Sequence, residues 1–234
     1  MPEHISKQFD LELETIRTRV LQMGGLVEQQ ILSAIDALTS GDVAKMEKVI
    51  AEDALVNALE VAIDDDCQHI IARRQPAASD LRMVLTVVKT ITDLERIGDE
   101  AQKIARMGRT VHGSERYQIP RFREIRKMAE VALGMLRRAL DAFARLDATA
   151  ALELAEEDQR LDEDFASELR QLITFMMEDP RTISMSIDVL FIAKAIERIG
   201  DHAKNISEYV VYLVKGKDIR HTTIETIKRE TLDN

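Results

Sequence analysis

The sequence contains few residues that interrupt helices and few aromatic side chains. Four prolines and nine glycines occur in 234 residues, aromatic residues make up 4% of the chain, and tryptophan is absent. Hydrophobic residues account for 45% and charged residues for 32%, a balance typical of a soluble globular protein. Since alanine, leucine, glutamate and arginine are abundant, the composition favours helices around an aliphatic, methionine-rich core.

Further absences exclude whole classes of protein. The single cysteine, Cys67, excludes an internal disulfide framework, and its place on an apolar helix face predicts a core residue without a nucleophilic role. No apolar run approaches the roughly 20 residues of a membrane span. The first residues lack the features of a signal peptide, so we expect a cytoplasmic protein without membrane insertion. A formal charge of −10 argues against nucleic acid as a partner.

Apolar residues recur at steps of three and four along most of the chain, which is the spacing of one helix face. In the first segment they include Ile16, Val20, Met23, Val27 and Ile31. The pattern predicts six helices, at about 4–39, 43–75, 80–108, 121–146, 148–178 and 182–215. A polar connector is predicted at 108–120, and the polar tail at 216–234 is left open between a helix and a frayed end.

An internal repeat organises these helices. The sequence ERIGD at 95–99 recurs at 197–201, an offset of 102 residues, and the preceding helices align at an offset of 105, for example Met23 with Met128. We therefore predict an all-α fold of two tandem three-helix antiparallel repeats, at 5–108 and 115–215. Long helices joined by short loops pack antiparallel, which favours an elongated six-helix bundle.

Each repeat carries a pair of carboxylates at this motif. Glu95 and Asp99 are four residues apart and share a helix face. A helical wheel places Glu95 beside the apolar stripe and Asp93 on the opposite, solvated arc. Glu197 and Asp201 hold the same relation in the second repeat. A carboxylate beside a packed seam needs a cation, a hydrogen bond or a proton, because an uncompensated charge is costly there.

Paired carboxylate oxygens are suitable ligands for divalent cations, so both motifs are candidate metal sites. Asp53 and Glu60 on the second helix and Asp158 on the fifth lie at the edges of the apolar stripes, where they are able to complete such sites. The alternative interpretation is an ordinary ion pair with a basic residue on a neighbouring helix. For Gly98 and Gly200 within the motifs, close helix packing is the favoured interpretation over room for an ion.

No catalytic residue emerges from the sequence. The chain has no Glu-x-x-His, which argues against a di-iron bundle enzyme, and no glycine-rich phosphate loop. His202 lies about 140° from Glu197 on the wheel and is expected to be exposed. The alternatives to a regulatory protein that stay open are a metal-binding bundle, as enzyme or metal store, and a purely structural helical scaffold.

Four stretches together resemble the PhoU family: QPAASDLR at 75–82, DLERIGD at 93–99, ERIGD at 197–201 and GKDIRH at 216–221. The resemblance implies a six-helix, non-enzymatic negative regulator of the phosphate regulon. It implies an adaptor between the ATPase subunit of the phosphate ABC transporter and a sensor histidine kinase, and a homodimer.

Some members of that family bind iron, zinc, magnesium or manganese at these motifs. By resemblance, the candidate ligands here are Glu95, Asp99, Glu197 and Asp201. The second repeat has Phe165 where Glu60 would align, so the two sites need not be equivalent.

Overall fold

The computed structural model describes residues 7–113, 122–220 and 222–232. The helices are α1 (Lys7–Ser40), α2 (Val43–Arg74), α3 (Ala78–His112), α4 (Arg123–Arg145), α5 (Ala150–Glu178), α6 (Ile183–Lys215) and α7 (Ile224–Leu232), with a 3-10 turn at Pro180–Thr182. Within these residues no strand occurs. The predicted beginning of the first helix before residue 7 and most of the predicted connector lie outside the described residues.

Short turns close the helices in the way that their sequences indicate. Asp42 caps α2, accepting a hydrogen bond of 3.0 Å from the backbone nitrogen of Lys45. Gly41 before it has a φ of +73°, and Gly216 ends α6 with a φ of +71°, a conformation that glycine adopts without strain. Gln75 takes the same left-handed conformation and ends α2 just before Pro76.

One helix extends beyond its predicted end, and the tail that the sequence left open is helical. The third helix was predicted to end near residue 108, but α3 continues to His112. Gly108 does not stop it because this glycine lies buried against Leu38 and Met46, where a small residue serves packing. The polar tail forms a helix, α7, whose Ile227 is buried against α5 and α6 residues.

The two motif helices occupy the centre of the bundle. Helix α3 packs against α1, α2 and α6, and α6 packs against α3, α4 and α5. The core is aliphatic and includes four fully or almost fully buried methionines: Met23, Met46, Met128 and Met135. Each repeat therefore buries one face of its motif helix, while the opposite faces of α3 and α6 pack against each other and join the repeats.

The motif glycines lie at equivalent close contacts in the two repeats. A Cβ on Gly98 would lie 3.1 Å from Gln30 Oε1 and 3.3 Å from Val56 Cγ1. One on Gly200 would lie 2.5 Å from Leu161 Cδ2, with Met135 next. Met135 and Leu161 are the residues that align with Gln30 and Val56 at the offset of 105. At both positions a side chain on the motif helix would therefore press against a neighbouring helix.

Candidate functional site

The four carboxylates predicted around the first motif come together between α2 and α3. We call them the first carboxylate cluster: Asp53 and Glu60 on α2, and Glu95 and Asp99 on α3. Asp53 is only 3% exposed, Glu60 and Glu95 are half-buried, and Asp99 is exposed at the rim. The cluster therefore reaches from the core to solvent.

Two glutamine amides hold the buried member of this cluster. Gln30 Nε2 donates to Asp53 Oδ1 and Gln102 Nε2 donates to Asp53 Oδ2, each at 3.0 Å. Gln30 is 6% exposed, and its Oε1 has no hydrogen-bond donor among the described residues. This amide oxygen lies beside Gly98 in the middle of the motif. A buried acceptor without a donor is costly, so the site has an oxygen that a cation would satisfy.

The electrostatics of the first carboxylate cluster favour a proton or a cation. Burial raises the pKa of Glu95, and the charges of Asp99, Glu60 and Asp53 raise it further. The pKa of Asp99 is also raised, first by burial and then by Asp53. Within the described residues, none of the four carboxylates forms an ion pair within 4.0 Å. The cluster therefore carries negative charge without a direct counter-charge.

The chemical type of the oxygen atoms in the first carboxylate cluster suits a divalent cation, but their present positions do not. Carboxylate and amide oxygens are the ligands of magnesium and manganese. In the described part of the chain, however, no three side chains of histidine, cysteine, aspartate or glutamate are arranged to hold an ion as they stand. Glu60, Glu95 and Asp99 must therefore change rotamer to close on a cation. Their partial exposure leaves them free to do so.

The second motif also lies among carboxylates, but lysines occupy the space between them. We call Asp158 and Asp162 on α5 with Glu197 and Asp201 on α6 the second carboxylate cluster. Lys204 Nζ donates to Asp158 Oδ2 and lies 4.0 Å from Asp201 Oδ1.

Lys194 Nζ donates to Glu197 Oε1 and lies over the ring of Phe165, 5.3 Å from its centroid. The sequence interpretation missed both lysines, although their difference from Thr92 and Gln102 in the first repeat was visible in the alignment.

The pKa values of this second cluster reflect the competition between burial and the lysines. Burial raises the pKa of Glu197, and the hydrogen bond from Lys194 opposes that rise. Burial likewise raises the pKa of Asp201, helped by Asp158 and opposed by Lys204. Burial tends to lower the pKa of Lys204 itself, yet its bond to Asp158 and the surrounding acids raise it overall. The lysine is thus held in its charged form.

Two residues predicted to be solvated are buried instead. His202 and Asp93 lie at the α3–α6 interface, with His202 Nδ1 2.7 Å from Asp93 Oδ1. Nearby, Arg198 Nε lies 2.7 Å from Glu100 Oε1 across the same interface. The prediction was wrong because the wheel considered packing within one repeat only. The face of each motif helix that points away from its own repeat packs against the other repeat.

Comparison with known proteins places the chain in a family. The PhoU domain matches it twice, at residues 20–107 and 125–210. The chain belongs to the PhoU family. The double match and the helical structure confirm the all-α fold with tandem repeats. The family comprises accessory proteins rather than enzymes, as expected from the sequence.

Relatives of this PhoU-family chain extend over nearly its full length. It is 47% identical over 231 residues to the phosphate-specific transport system accessory protein PhoU homolog of Pseudomonas putida, covering 98% of this chain and 90% of the relative. It is 48% identical over 219 residues to that accessory protein from Escherichia coli K12, covering 94% and 90%.

Solved structures agree with the fold. The crystal structure of PhoU from Pseudomonas aeruginosa matches with a TM-score of 0.85 at 45% identity, covering 89% of this chain and 100% of the other. The phosphate transport system regulatory protein PhoU from Streptococcus pneumoniae matches with a TM-score of 0.83 at 31% identity, covering 90% and 98%. In the described residues of this chain, no helix is long and apolar enough to span a membrane.

Proposed function

We propose that this chain regulates phosphate uptake as a negative regulator of the phosphate regulon. The observation that supports this most is the identity of 46–48% over nearly the full length to proteins named phosphate-specific transport system accessory proteins. In this proposal it acts in the cytoplasm as an adaptor between the ATPase subunit of the phosphate ABC transporter and the sensor histidine kinase. A homodimer, which the family resemblance predicts, would be measured by light scattering after gel filtration.

Deletion of the gene tests the regulatory proposal directly. In phosphate-rich medium, cells without the gene should produce alkaline phosphatase at the level of phosphate-starved cells, and a plasmid copy should restore repression. Affinity capture from membranes at high and low phosphate, followed by mass spectrometry, should recover the transporter ATPase and the kinase. An unchanged phosphatase level in the deletion strain would contradict the proposal.

We further propose that the first carboxylate cluster binds one divalent cation, with magnesium, manganese, iron and zinc as candidates. Glu95, Asp99, Asp53 and Glu60 would supply its ligands. The ion would supply the counter-charge that the cluster lacks and would connect α2 to α3. Because an ion that binds only the folded state stabilises it by mass action, metal should raise the melting temperature.

The test compares the double variant Glu95→Gln, Asp99→Asn with a control, Glu52→Gln, which removes an exposed carboxylate beside the cluster. Elemental analysis should show metal in the wild type and the control, and little or none in the double variant. In thermal melts, chelator should lower the melting temperature of the wild type and the control but not that of the double variant. Equal metal content in all three proteins would mean that the first carboxylate cluster is not the binding site.

A further inference from the structure

The two carboxylate clusters lie at equivalent positions but differ in the residue that faces the buried aspartate. At the offset of 102, Lys204 aligns with Gln102. The structure supports this alignment because Gln102 donates to Asp53 and Lys204 donates to Asp158, which are themselves equivalent at the offset of 105. A neutral amide in the first repeat is therefore replaced by an ammonium group in the second.

A second lysine adds to this difference. Lys194 aligns with Thr92, and its ammonium group is held between the carboxylate of Glu197 and the ring of Phe165. Phe165 is the residue that replaces Glu60. The exchange of a carboxylate for an aromatic ring removes a metal ligand and creates a surface that attracts a cation through its π electrons. Both changes suit a resident ammonium group better than a metal ion.

The oxygen donors of the two sites also differ. Gln30, whose buried Oε1 lacks a donor in the first repeat, is replaced by Met135, whose thioether is a poor ligand for hard cations. Within the second carboxylate cluster Glu197 Oε2 has no hydrogen-bond partner among the described residues, but its Oε1 is already bound by Lys194. A metal there would have to displace Lys194 from Glu197 and would lie close to two ammonium groups, whose positive charges repel it.

We infer that Lys194 and Lys204 take the place of a metal ion in the second repeat, so that each chain binds its divalent cation at the first carboxylate cluster alone. This inference rests on the proposed cation site, and it replaces the separate site that the sequence predicts at Glu197 and Asp201. The second motif is then a permanent, metal-independent connection between α5 and α6. Only the first motif responds to the supply of metal.

The inference is tested by exchanging the aligned residues, Lys194 with Thr92 and Lys204 with Gln102, between the repeats. In one variant, Lys194→Thr and Lys204→Gln give the second cluster the residues of the first. In the reciprocal variant, Thr92→Lys and Gln102→Lys give the first cluster the lysines. A control, Lys48→Thr with Lys127→Gln, removes two exposed lysines elsewhere.

The probe is Mn²⁺, measured by elemental analysis after dialysis and by titration followed with electron paramagnetic resonance. The wild type and the control should bind one ion per chain, the first variant two, and the reciprocal variant none. The inference is overturned if the wild type binds two ions, or if the loss of both lysines leaves the stoichiometry at one.

Melting curves in chelator separate this inference from the proposed cation site. If none of the proteins binds Mn²⁺, the proposed cation site is wrong. The role of the two lysines as counter-charges is then tested by the melting curves in chelator. The variant without Lys194 and Lys204 should then melt several degrees below the control in chelator, since Asp158, Glu197 and Asp201 have lost their ion pairs. Equal melting temperatures would overturn that role as well.

Discussion

Adjacent glycines on α1 should respond in opposite ways to the same substitution. Gly24 faces α4 at the contact between the repeats, where an added Cβ would lie 2.6 Å from Leu140 Cδ1, 2.7 Å from Cδ2 and 3.2 Å from Cγ. Gly25 points the other way, and a Cβ added there would meet no atom of a described neighbouring residue within 4 Å. Both residues lie in the interior of a long helix, so the backbone effect of alanine is the same at the two positions.

The magnitudes follow from two opposing effects. Gly25→Ala should stabilise the protein by about 1 kcal/mol, the difference in helix propensity. Gly24→Ala receives the same gain, but insertion of a methyl group into a packed contact costs about 1–3 kcal/mol. Because Cγ of Leu140 is also close, rotation of its methyl groups does not relieve the whole clash. The two variants should therefore differ by about 1–3 kcal/mol.

Thermal melts followed by circular dichroism measure this difference. For a protein of this size about 1 kcal/mol shifts the melting temperature by roughly 2–4 °C, so Gly24→Ala should melt at a clearly lower temperature than Gly25→Ala. In a Leu140→Ala background, which removes the clashing side chain, Gly24→Ala should become less harmful. Equal shifts for the two glycines, or no change in that background, would refute the packing argument.

Three further predictions concern buried groups. Burial raises the pKa of Glu208 to about 7 from 4.5, so the folded state loses the stability of the protonated side chain as pH rises between these values. The unfolding free energy of Glu208→Gln minus that of wild type, measured by urea titrations, should therefore rise by roughly 3 kcal/mol between pH 4.5 and 7. A difference that stays constant with pH would contradict this. Burial raises the pKa of the Cys67 thiol to about 12, so Ellman's reagent should label it at pH 8 only after unfolding, and rapid native labelling would oppose this. His202→Ala leaves Asp93 buried without that partner and should cost about 1–3 kcal/mol in urea unfolding, whereas an exposed histidine would cost almost nothing.

Helix positions follow from local physical chemistry, which is why the sequence predicted them well. Apolar spacing, the cap at Asp42 and the stop at Pro76 act within a few residues, and each produces the observed turn. The end of α3 was the exception, because Gly108 serves a contact with α1 and α2. That contact involves residues far away in the sequence, so a local rule about glycine as a helix stop cannot predict it.

The candidate site was predictable only in part. The repeated motif identified Glu95, Asp99, Glu197 and Asp201, and the apolar stripe showed that they lie beside the core. Whether such a carboxylate has a counter-charge depends on side chains from other helices, as with Lys204 and Asp158, which are 46 residues apart. The net charge of each cluster therefore depends on contacts between helices.

The sequence by itself determined the all-α class, the tandem repeat and the position of both motifs, because periodicity and duplication are properties of the chain. The tertiary structure alone decided that the repeats join through α3 and α6, so that Asp93 and His202 are buried instead of solvated. It also decided that lysines form ion pairs with the carboxylates of the second cluster, while the carboxylates of the first cluster form no ion pair among the described residues. The physical reason is that burial and electrostatic interaction depend on distance in space, and a helical wheel describes only the directions around one axis.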